Sequence, residues 1–320
     1  MRASHVLVVV AVAAALACAL GVLAGSAGFG IASSEIVWSI RVPRVLAGFG
    51  AGAALALAGA LMQLLTRNAL ADPYVLGVAG GASVGALGAM LVAGAAGAAA
   101  SEWGVAVGAA IGAAAASALL FGLLWRRLAS TAIVPSGEGA TALLLVGVMI
   151  GAGCSAIVSL ILTLADEGQL RGMVFWLLGD LNGASHWEIV WIAVALALAV
   201  VWPRARELDW LARGDAWAAT LGVAVGPRRR AVLLAAALAT AGAIGFVGLV
   251  VPHALRRLGV RAAPLLLPAS AIAGGAFVVA VDAAARTLVA PLQLPVGVLA
   301  AAIGVPTFIA MLLQRPAGLR

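Results

Sequence analysis

Apolar residues along the chain come in runs of about twenty, separated by short segments that hold most of the charges and prolines. The hydrocarbon core of a bilayer is about 30 Å thick, and a helix needs roughly 20 apolar residues to cross it. Helices of soluble domains carry one apolar stripe instead, and membrane β-strands give short alternating segments. The pattern therefore predicts an all-α polytopic membrane protein.

The runs predict about ten spanning helices and two further short helices. The eighth predicted helix is too short to cross alone and follows Pro252, which indicates a half-helix in a broken or re-entrant span. The first run, His5 to Ala24, could be taken for a signal peptide, but its length favours a spanning helix. The predicted spans are 5–25, 44–66, 75–94, 104–125, 140–164, 187–203, 229–249, 251–262, 264–287 and 296–314, and the short helices are 172–180 and 208–224.

A short repeat suggests how these spans are arranged. Ala58–Leu61 in the second span resembles Ala241–Ile244 in the seventh, and each is followed by a loop with a proline, at Pro73 and Pro252. The second span is predicted to run inward and the seventh outward. This predicts an inverted pseudo-repeat, an architecture common among transporters.

Glycine at four-residue spacing marks two of the predicted helices. Small residues at this spacing give a helix one smooth face, which lets a neighbouring membrane helix approach closely. We therefore predict dense helix packing at two sets of glycines, which are Gly77, Gly81 and Gly85, and Gly104, Gly108 and Gly112.

Composition excludes several classes of function. All 19 basic residues are arginine, so the chain has no P-loop lysine, and any ATP hydrolysis must occur in a partner. The net charge of +7 is typical of arginine-rich cytoplasmic loops and does not indicate nucleic acid as a partner. Cys18 and Cys154 lie within apolar runs, where packing rather than disulfide formation is expected.

Arginines predict the orientation, because they are enriched in cytoplasmic loops. With the N-terminus inside, only Arg41, Arg44, Arg171 and Arg286 fall outside, so both termini are predicted to be cytoplasmic. The inside arginines are Arg2, Arg67, Arg126, Arg127, Arg204, Arg206, Arg213, Arg228, Arg229, Arg230, Arg256, Arg257, Arg261, Arg315 and Arg320.

The exceptional outer arginines include the motif Arg41-Val42-Pro43-Arg44. Pro43 suits a first helical turn, and the two arginines are expected on one helix face. They could anchor the helix in the headgroup layer, or they could meet an acidic partner together with Arg286. Asp282 lies four residues before Arg286, so an ion pair within one helix is expected.

Two inner segments have both a structural and a functional interpretation. The loop Asn68–Pro73 contains Asn, Asp and Pro, which favour a tight turn. It could also close a pore at its inner end. The segment Leu208–Gly226 is amphipathic, so it could lie in the headgroup layer or dock a soluble motor. His253 is interpreted as structural, and we identify no catalytic constellation and no set of metal ligands.

These motifs, together with Leu294–Val298 and Gly304–Pro306, resemble the permease subunits of ABC importers for iron chelates and cobalamin. The resemblance covers about residues 35–315. It implies one transmembrane permease domain, residues 1–320, in the inner membrane of a bacterium. It also implies a homodimer in membrane lipid that binds two cytoplasmic ATPase subunits and a periplasmic substrate-binding protein, with no cofactor of its own.

The resemblance also assigns roles to residues. Three of the outer arginines, Arg41, Arg44 and Arg286, match positions that receive acidic residues of the binding protein. In this chain Ala69 replaces the usual proline of the gate loop, which implies a less rigid loop. The matching gate residues are Asn68, Leu70 and Thr141, and the matching ATPase-coupling residues, within the segment 207–226, are Gly214, Ala218, Leu221 and Gly222.

Two functions from different classes remain open at this point. The first is the importer permease, which contains no ATPase site of its own and is therefore not an enzyme. The second is a stand-alone secondary carrier built from inverted repeats, although such carriers usually need ionisable groups near the middle of the membrane. An intramembrane enzyme is disfavoured because catalytic groups are missing. Haem, a ferric siderophore and cobalamin are all candidate substrates.

Overall fold

The computed structural model describes residues 3–25, 28–30, 33–129, 138–181, 186–240 and 244–313. Within them, two two-residue strands pair antiparallel, and every longer element is a helix. The elements are α1 Ala3–Leu23, β1 Ala24–Gly25, β2 Gly28–Phe29, α2 Ser34–Ile36, a π-helical segment Val37–Arg41, α3 Val42–Thr66, a 3₁₀ turn Pro73–Leu76, α4 Val78–Ala95, α5 Glu102–Ala129, α6 Glu138–Leu164, α7 Glu167–Leu177, α8 Trp187–Val201, a 3₁₀ turn Trp202–Arg204, α9 Ala205–Arg213, α10 Asp215–Thr220, α11 Val225–Ala239, α12 Val247–Arg257, α13 Ala263–Thr287 and α14 Val296–Leu313.

The predicted all-α polytopic membrane fold is confirmed. In the described ranges, seven helices are long and apolar enough to cross a bilayer, and each coincides with a predicted span. The other three predicted spans correspond to the shorter helices α11, α12 and α14. Large apolar side chains remain exposed on the outer helices, for example Leu145 and Leu160 of α6, as expected for surfaces that face lipid.

The core is built around α3, which is enclosed by its neighbours. Of its most apolar 18-residue window, 89% is buried, against 17% for α5 and for α6. Pro43 lies in the first turn of α3, as predicted, although helical structure continues back from α3 to Ser34. The π-helical segment Val37–Arg41 directly precedes α3, and the Val42 amide donates to the carbonyl oxygen of Val37 across it.

Glycines bring neighbouring helices into backbone contact, as predicted. An added side-chain carbon at Gly81 or Gly85 of α4 would overlap the carbonyl of Gly112 or Gly108 of α5. The same kind of contact joins Gly52 of α3 to Gly274 of α13. Such close approach maximises van der Waals packing between membrane helices.

The predicted break in the later spans is present but lies elsewhere. Helix α11 ends at Ala239 rather than at residue 249, and Pro252 lies inside α12 rather than at its start. The half-helix instead begins after Phe246, which has a left-handed backbone (φ +68°). An unbroken Ala/Gly-rich apolar run hides this break from a hydropathy pattern. The second copy of the short repeat lies mostly at 241–243, outside the described residues.

The two short helices also differ from their predicted bounds. Helix α7 occupies Glu167–Leu177 rather than 172–180, since Glu167 suits a first turn and Gly179 (φ +78°) ends the helix. The predicted segment 208–224 is two helices, α9 and α10, separated by Gly214 (φ +140°).

Candidate functional site

A buried ionic cluster lies where α3 begins and α13 ends. We call Arg44, Asp282 and Arg286 the Asp282 cluster and this end of the bundle the Arg44 end. Arg44 Nη2 lies 2.9 Å from Asp282 Oδ1, and Arg286 Nη2 lies 3.0 Å from Asp282 Oδ2. The exposed fractions are 9% for Arg44, 1% for Asp282 and 4% for Arg286. The predicted pair between Asp282 and Arg286 is confirmed.

The remaining donors of the cluster bind backbone groups at the end of α1 and the start of β1, and a nearby side chain. Arg286 donates to the carbonyl oxygens of Ala24 (2.8 Å) and Gly21 (3.0 Å). Arg44 donates through Nη1 to Gln293 Oε1 (3.2 Å). Carbonyls at the end of a helix have no partner within it, so Arg286 satisfies the end of α1 and holds it against α13.

Arg41 binds the same region from the π-helical segment. Its Nη1 lies 2.9 Å from the carbonyl oxygen of Val22, 3.1 Å from that of Leu23 and 3.0 Å from that of Gly30. Three acceptors around one nitrogen fix the guanidinium over the end of α1.

These contacts bear on the predicted outer docking patch. The side chains of Arg44 and Arg286 are buried and already paired, because Asp282 supplies their countercharge from within the chain. Both guanidinium groups therefore have an internal countercharge, and their docking role stays a prediction. Arg41 is half-buried, so among the three it is the residue nearest to a surface role, and its docking role stays a prediction.

A second cluster lies where α3 ends, and we call this the Asp215 end. Arg67 Nη2 lies 2.5 Å from Asp215 Oδ1, and Arg229 of α11 pairs with Asp215 Oδ2. Arg67 has a left-handed backbone (φ +53°) and also donates to the carbonyl oxygen of Leu211 (3.1 Å). We call Arg67, Asp215 and Arg229 the Asp215 cluster; it fastens α9 and α10 to the bundle.

The predicted coupling segment forms a bend, which we call the elbow and define as α9, Gly214, α10 and the turn to Val223. Gly214 (φ +140°) and Gly222 (φ +81°) occupy conformations that favour glycine. Leu221 is 46% exposed. Ala218, however, is fully buried, so it positions the elbow and cannot itself touch a partner.

Trp217 was missed by sequence reasoning, although it is the large exposed side chain of the elbow at 53%. Its signal was available, since each of the two tryptophans in this amphipathic segment, Trp210 and Trp217, is expected to be either buried or a contact residue. The resemblance pointed instead at the small residues beside it.

The predicted gate loop is a tight turn at the same end. Asn68 Oδ1 accepts a hydrogen bond from the Leu70 amide (2.9 Å), as expected for an Asn turn, and Leu70 is 49% exposed. Asp72 accepts from the Tyr74 amide (2.8 Å), and burial raises the pKa of its carboxyl although this hydrogen bond lowers it. Thr141 lies in α6, but its side chain is outside what is described. The gate role of these residues stays a prediction.

No three His, Cys, Asp or Glu side chains in the described ranges converge on a point that could hold a metal ion. His253 instead makes an edge contact with the ring of Phe308, whose centroid lies 5.7 Å away. This contact joins α12 to α14 and fits the structural role expected of His253.

Comparison with known proteins decides the family. The profile of the FecCD transport family matches residues 3–314. The chain belongs to the FecCD transport family. Vitamin B12 import system permease proteins BtuC are similar to it, at 36% identity in Salmonella paratyphi A and 37% in Salmonella typhi. Each match covers 286 residues, 87% of this chain and 83% of the relative.

A solved structure is also similar, and it is described as an inward-facing conformation of a metal-chelate type ABC transporter. It matches with a TM-score of 0.80 and 27% identity, over 98% of this chain and all of the other. This FecCD protein is therefore an ABC importer permease, a transport subunit, and a multi-pass protein of the inner membrane.

Proposed function

We propose that this FecCD protein forms, as a homodimer, the translocation pathway of a binding-protein-dependent importer for a large metal chelate. Two cytoplasmic ATPase subunits supply the energy, and a periplasmic binding protein delivers the substrate. The observation that carries the proposal is the elbow, which is fastened to the bundle and exposes apolar side chains. Residues 1–320 act as one permease domain, with the coupling segment at 207–226.

The elbow has the two properties that force transmission requires. Asp215 ties it to the ends of two helices, through Arg67 of α3 and Arg229 of α11, so a push on the elbow moves these helices. Trp217 and Leu221 remain exposed. Tryptophan is enriched among the residues that dominate interface energies, and exposed apolar patches rimmed by polar residues mark interaction sites. We infer that the elbow docks in a groove of the ATPase and that the Asp215 end, with both termini, is cytoplasmic.

A second copy of the chain is needed to enclose a pathway. Helix α6 exposes Ser155, Ser159 and Thr163, whose four-residue spacing puts their hydroxyls on one face. Polar side chains of membrane helices usually face other helices or water rather than lipid. We propose that this face borders the pathway between two copies, together with Thr307, which α14 exposes.

The proposed pathway closes at the Asp215 end. Two Leu70 side chains, one from each copy, would exclude water as hydrophobic constrictions do. Asn68 holds the Leu70 amide in place. Thr141, near the start of α6, is proposed to form part of a second gate. Ala69, in place of the family's usual proline, leaves this turn dependent on the Asn68 hydrogen bond.

At the Arg44 end we propose a revised docking surface for the binding protein. The Asp282 cluster holds α1, α3 and α13 together there. The binding protein then meets the rim above the cluster, with Arg41 as the arginine in reach.

The substrate is proposed from the relatives. The BtuC proteins are named for vitamin B12 import and the similar structure for metal chelates. Cobalamin is therefore the first chelate to test, with haem and ferric siderophores as alternatives. Retention of one of these by the cognate binding protein would identify it.

Substitution of an exposed elbow residue tests the coupling role. We expect Leu221→Asp to reduce co-purification of the ATPase and substrate uptake in proteoliposomes by about tenfold, since it places a charge in an apolar contact. Val289→Asp is the matched control, because Val289 is also 46% exposed but lies at the Arg44 end; it should retain the ATPase. Equal retention by both variants would contradict docking at the elbow.

A further inference from the structure

Helix α12 contains a proline where an α-helix needs an amide. Pro252 is its sixth residue, and proline has no N–H to donate to the carbonyl four residues earlier. That carbonyl belongs to Gly248, which is buried. Buried backbone carbonyls in proteins are almost always paired, so another donor is expected here.

Gln63 of α3 is that donor. Its Nε2 lies 3.2 Å from the carbonyl oxygen of Gly248 and 3.2 Å from that of Leu249. Gln63 is only 3% exposed, so water cannot replace these bonds readily. A side chain of one helix thus supplies the hydrogen bond that the proline of another helix cannot make.

The other end of the same amide holds an arginine. Arg256 Nη1 donates to Gln63 Oε1 at 2.7 Å, and Arg256 lies one turn beyond Pro252. Its Nη2 is buried and has no hydrogen-bond partner within the described part of the chain. The position of this guanidinium therefore depends on Gln63. Glutamine suits the site because its amide donates and accepts at once.

Gly59 and Pro73 also pack closely against Gly248. A side-chain carbon at Gly59 of α3 would overlap the backbone of Gly248, and the ring of Pro73 packs directly on Gly248 as well. Pro73 opens the 3₁₀ turn that follows the proposed gate loop. The start of α12, the middle of α3 and the end of the gate loop therefore meet at one glycine.

We propose that Gln63 is a positioning residue for the gate: by replacing the amide lost at Pro252, it joins α12, α3 and the turn Pro73–Leu76 into one rigid body. The loop Asn68–Asp72, which is anchored at both ends on this body, is then the part that moves. The gate half of the inference rests on the proposed function, whereas the pairing of Gln63 with Pro252 does not.

The pairing is tested by a double-mutant cycle on the full-length permease in detergent. Pro252→Ala gives Gly248 an intrahelical donor, so Gln63→Leu should lower the melting temperature clearly in the Pro252 background and much less in the Pro252→Ala background. Gln63→Glu keeps the acceptor for Arg256 but cannot donate to the two carbonyls, so its loss of melting temperature should also be smaller in the Pro252→Ala background. Equal losses in both backgrounds, or failure of Gln63→Leu to fold in both, would overturn the proposal.

Gln169→Leu is the matched control. Gln169 also donates through Nε2 to a backbone carbonyl of another helix, that of Met90 at 3.3 Å, but no proline lies opposite. Gln169→Leu should lower the melting temperature by the same amount with or without Pro252→Ala. Rescue of Gln169→Leu by Pro252→Ala would show a general stabilisation and would also overturn the pairing.

The gate half is tested with a cysteine at position 70 in a chain freed of Cys18 and Cys154. With Gln63 present, cross-linking between copies should depend on the nucleotide state of the complex; with Gln63→Leu it should occur in all states and uptake should fall about tenfold. Unchanged nucleotide dependence would overturn the gate role. If the parent chain never cross-links and never binds an ATPase, the proposed function fails, while the melting cycle still decides the pairing.

Discussion

The two ends of α3 carry ionic clusters of the same composition in different surroundings. Each has one aspartate between two arginines, Asp282 between Arg44 and Arg286, and Asp215 between Arg67 and Arg229. The aspartate side chain is 2% exposed in the first cluster and 11% in the second, and the arginines are 10% and 4% exposed against 26% and 16%.

This difference in burial separates two uses of the same chemistry. A buried ion pair contributes little net stability, but removal of one partner leaves an unpaired buried charge at about 3–5 kcal/mol. A partly exposed pair contributes about 0–1 kcal/mol and can rearrange in water. The Asp282 cluster therefore fixes helices of the bundle, whereas the Asp215 cluster holds an elbow that a partner is proposed to push.

Neutralising the buried aspartate should have the largest effect. Asp282→Asn leaves two buried arginines without a countercharge and should destabilise the fold by about 3–5 kcal/mol. We expect a low yield of folded protein and a strongly reduced melting temperature in detergent. A melting temperature within a degree of the wild type would show that the cluster does not hold the Arg44 end.

Neutralising Asp215 should separate stability from transport. Asp215→Asn should lower stability by about 1 kcal/mol or less and should reduce substrate uptake several-fold, because the elbow loses its ties to α3 and α11. The small stability loss should shrink further at high salt, since exposed charges are screened, and that of Asp282→Asn should not. Losses of equal size in the two variants would remove the distinction between the clusters.

The smallest effect is expected at Asp209, an acid of α9 that forms a hydrogen bond with a backbone amide. Its Oδ1 accepts the Ala263 amide at the start of α13 (2.8 Å). Burial raises its pKa above the ordinary 3.8, although this hydrogen bond and Arg213 lower it. The native state thus binds the proton more tightly, so the stability from Asp209 is present at low pH and is lost as the pH rises through the raised pKa.

Asp209→Asn should remove this pH dependence and change stability by a few tenths of a kcal/mol, because the amide oxygen still accepts the Ala263 bond. Melting temperatures measured across the acid range test this. A slope identical to that of the wild type would contradict the assignment. The result would also show whether the Asp215 end depends on hydrogen-bonded acids as well as on ion pairs.

Most of the fold was predictable because a membrane-spanning helix needs a long run of apolar residues, which is visible in the sequence. The close contacts of Gly81 with Gly112 and of Gly85 with Gly108 were visible as a four-residue spacing. The start of α12 was not, since its boundary depends on the left-handed turn at Phe246 within an uninterrupted apolar run. Pro252 was also misleading, because it lies inside α12, where Gln63 donates to the carbonyl that a proline cannot reach.

The candidate site was predictable where chemistry is local. The i,i+4 pair of Asp282 and Arg286 and the bond from Asn68 to Leu70 follow from sequence neighbours alone. The burial of Arg44 could not be predicted, since its partner Asp282 is 238 residues away. The same holds for the pairing of Arg67 with Asp215, and for Ala218, whose position inside the elbow depends on how α10 packs.

The π-helical segment Val37–Arg41 also affects how the chain tolerates changes in length. A π turn contains one residue more than an α turn, so side chains before it are rotated by about 100° relative to an uninterrupted helix. Deletion of one residue there would turn Glu35 and the 69% exposed Trp38 around the helix axis, while Arg44 kept its place on Asp282. A single-residue insertion or deletion at this segment would thus present a different rim to a partner without disturbing the buried charges below it.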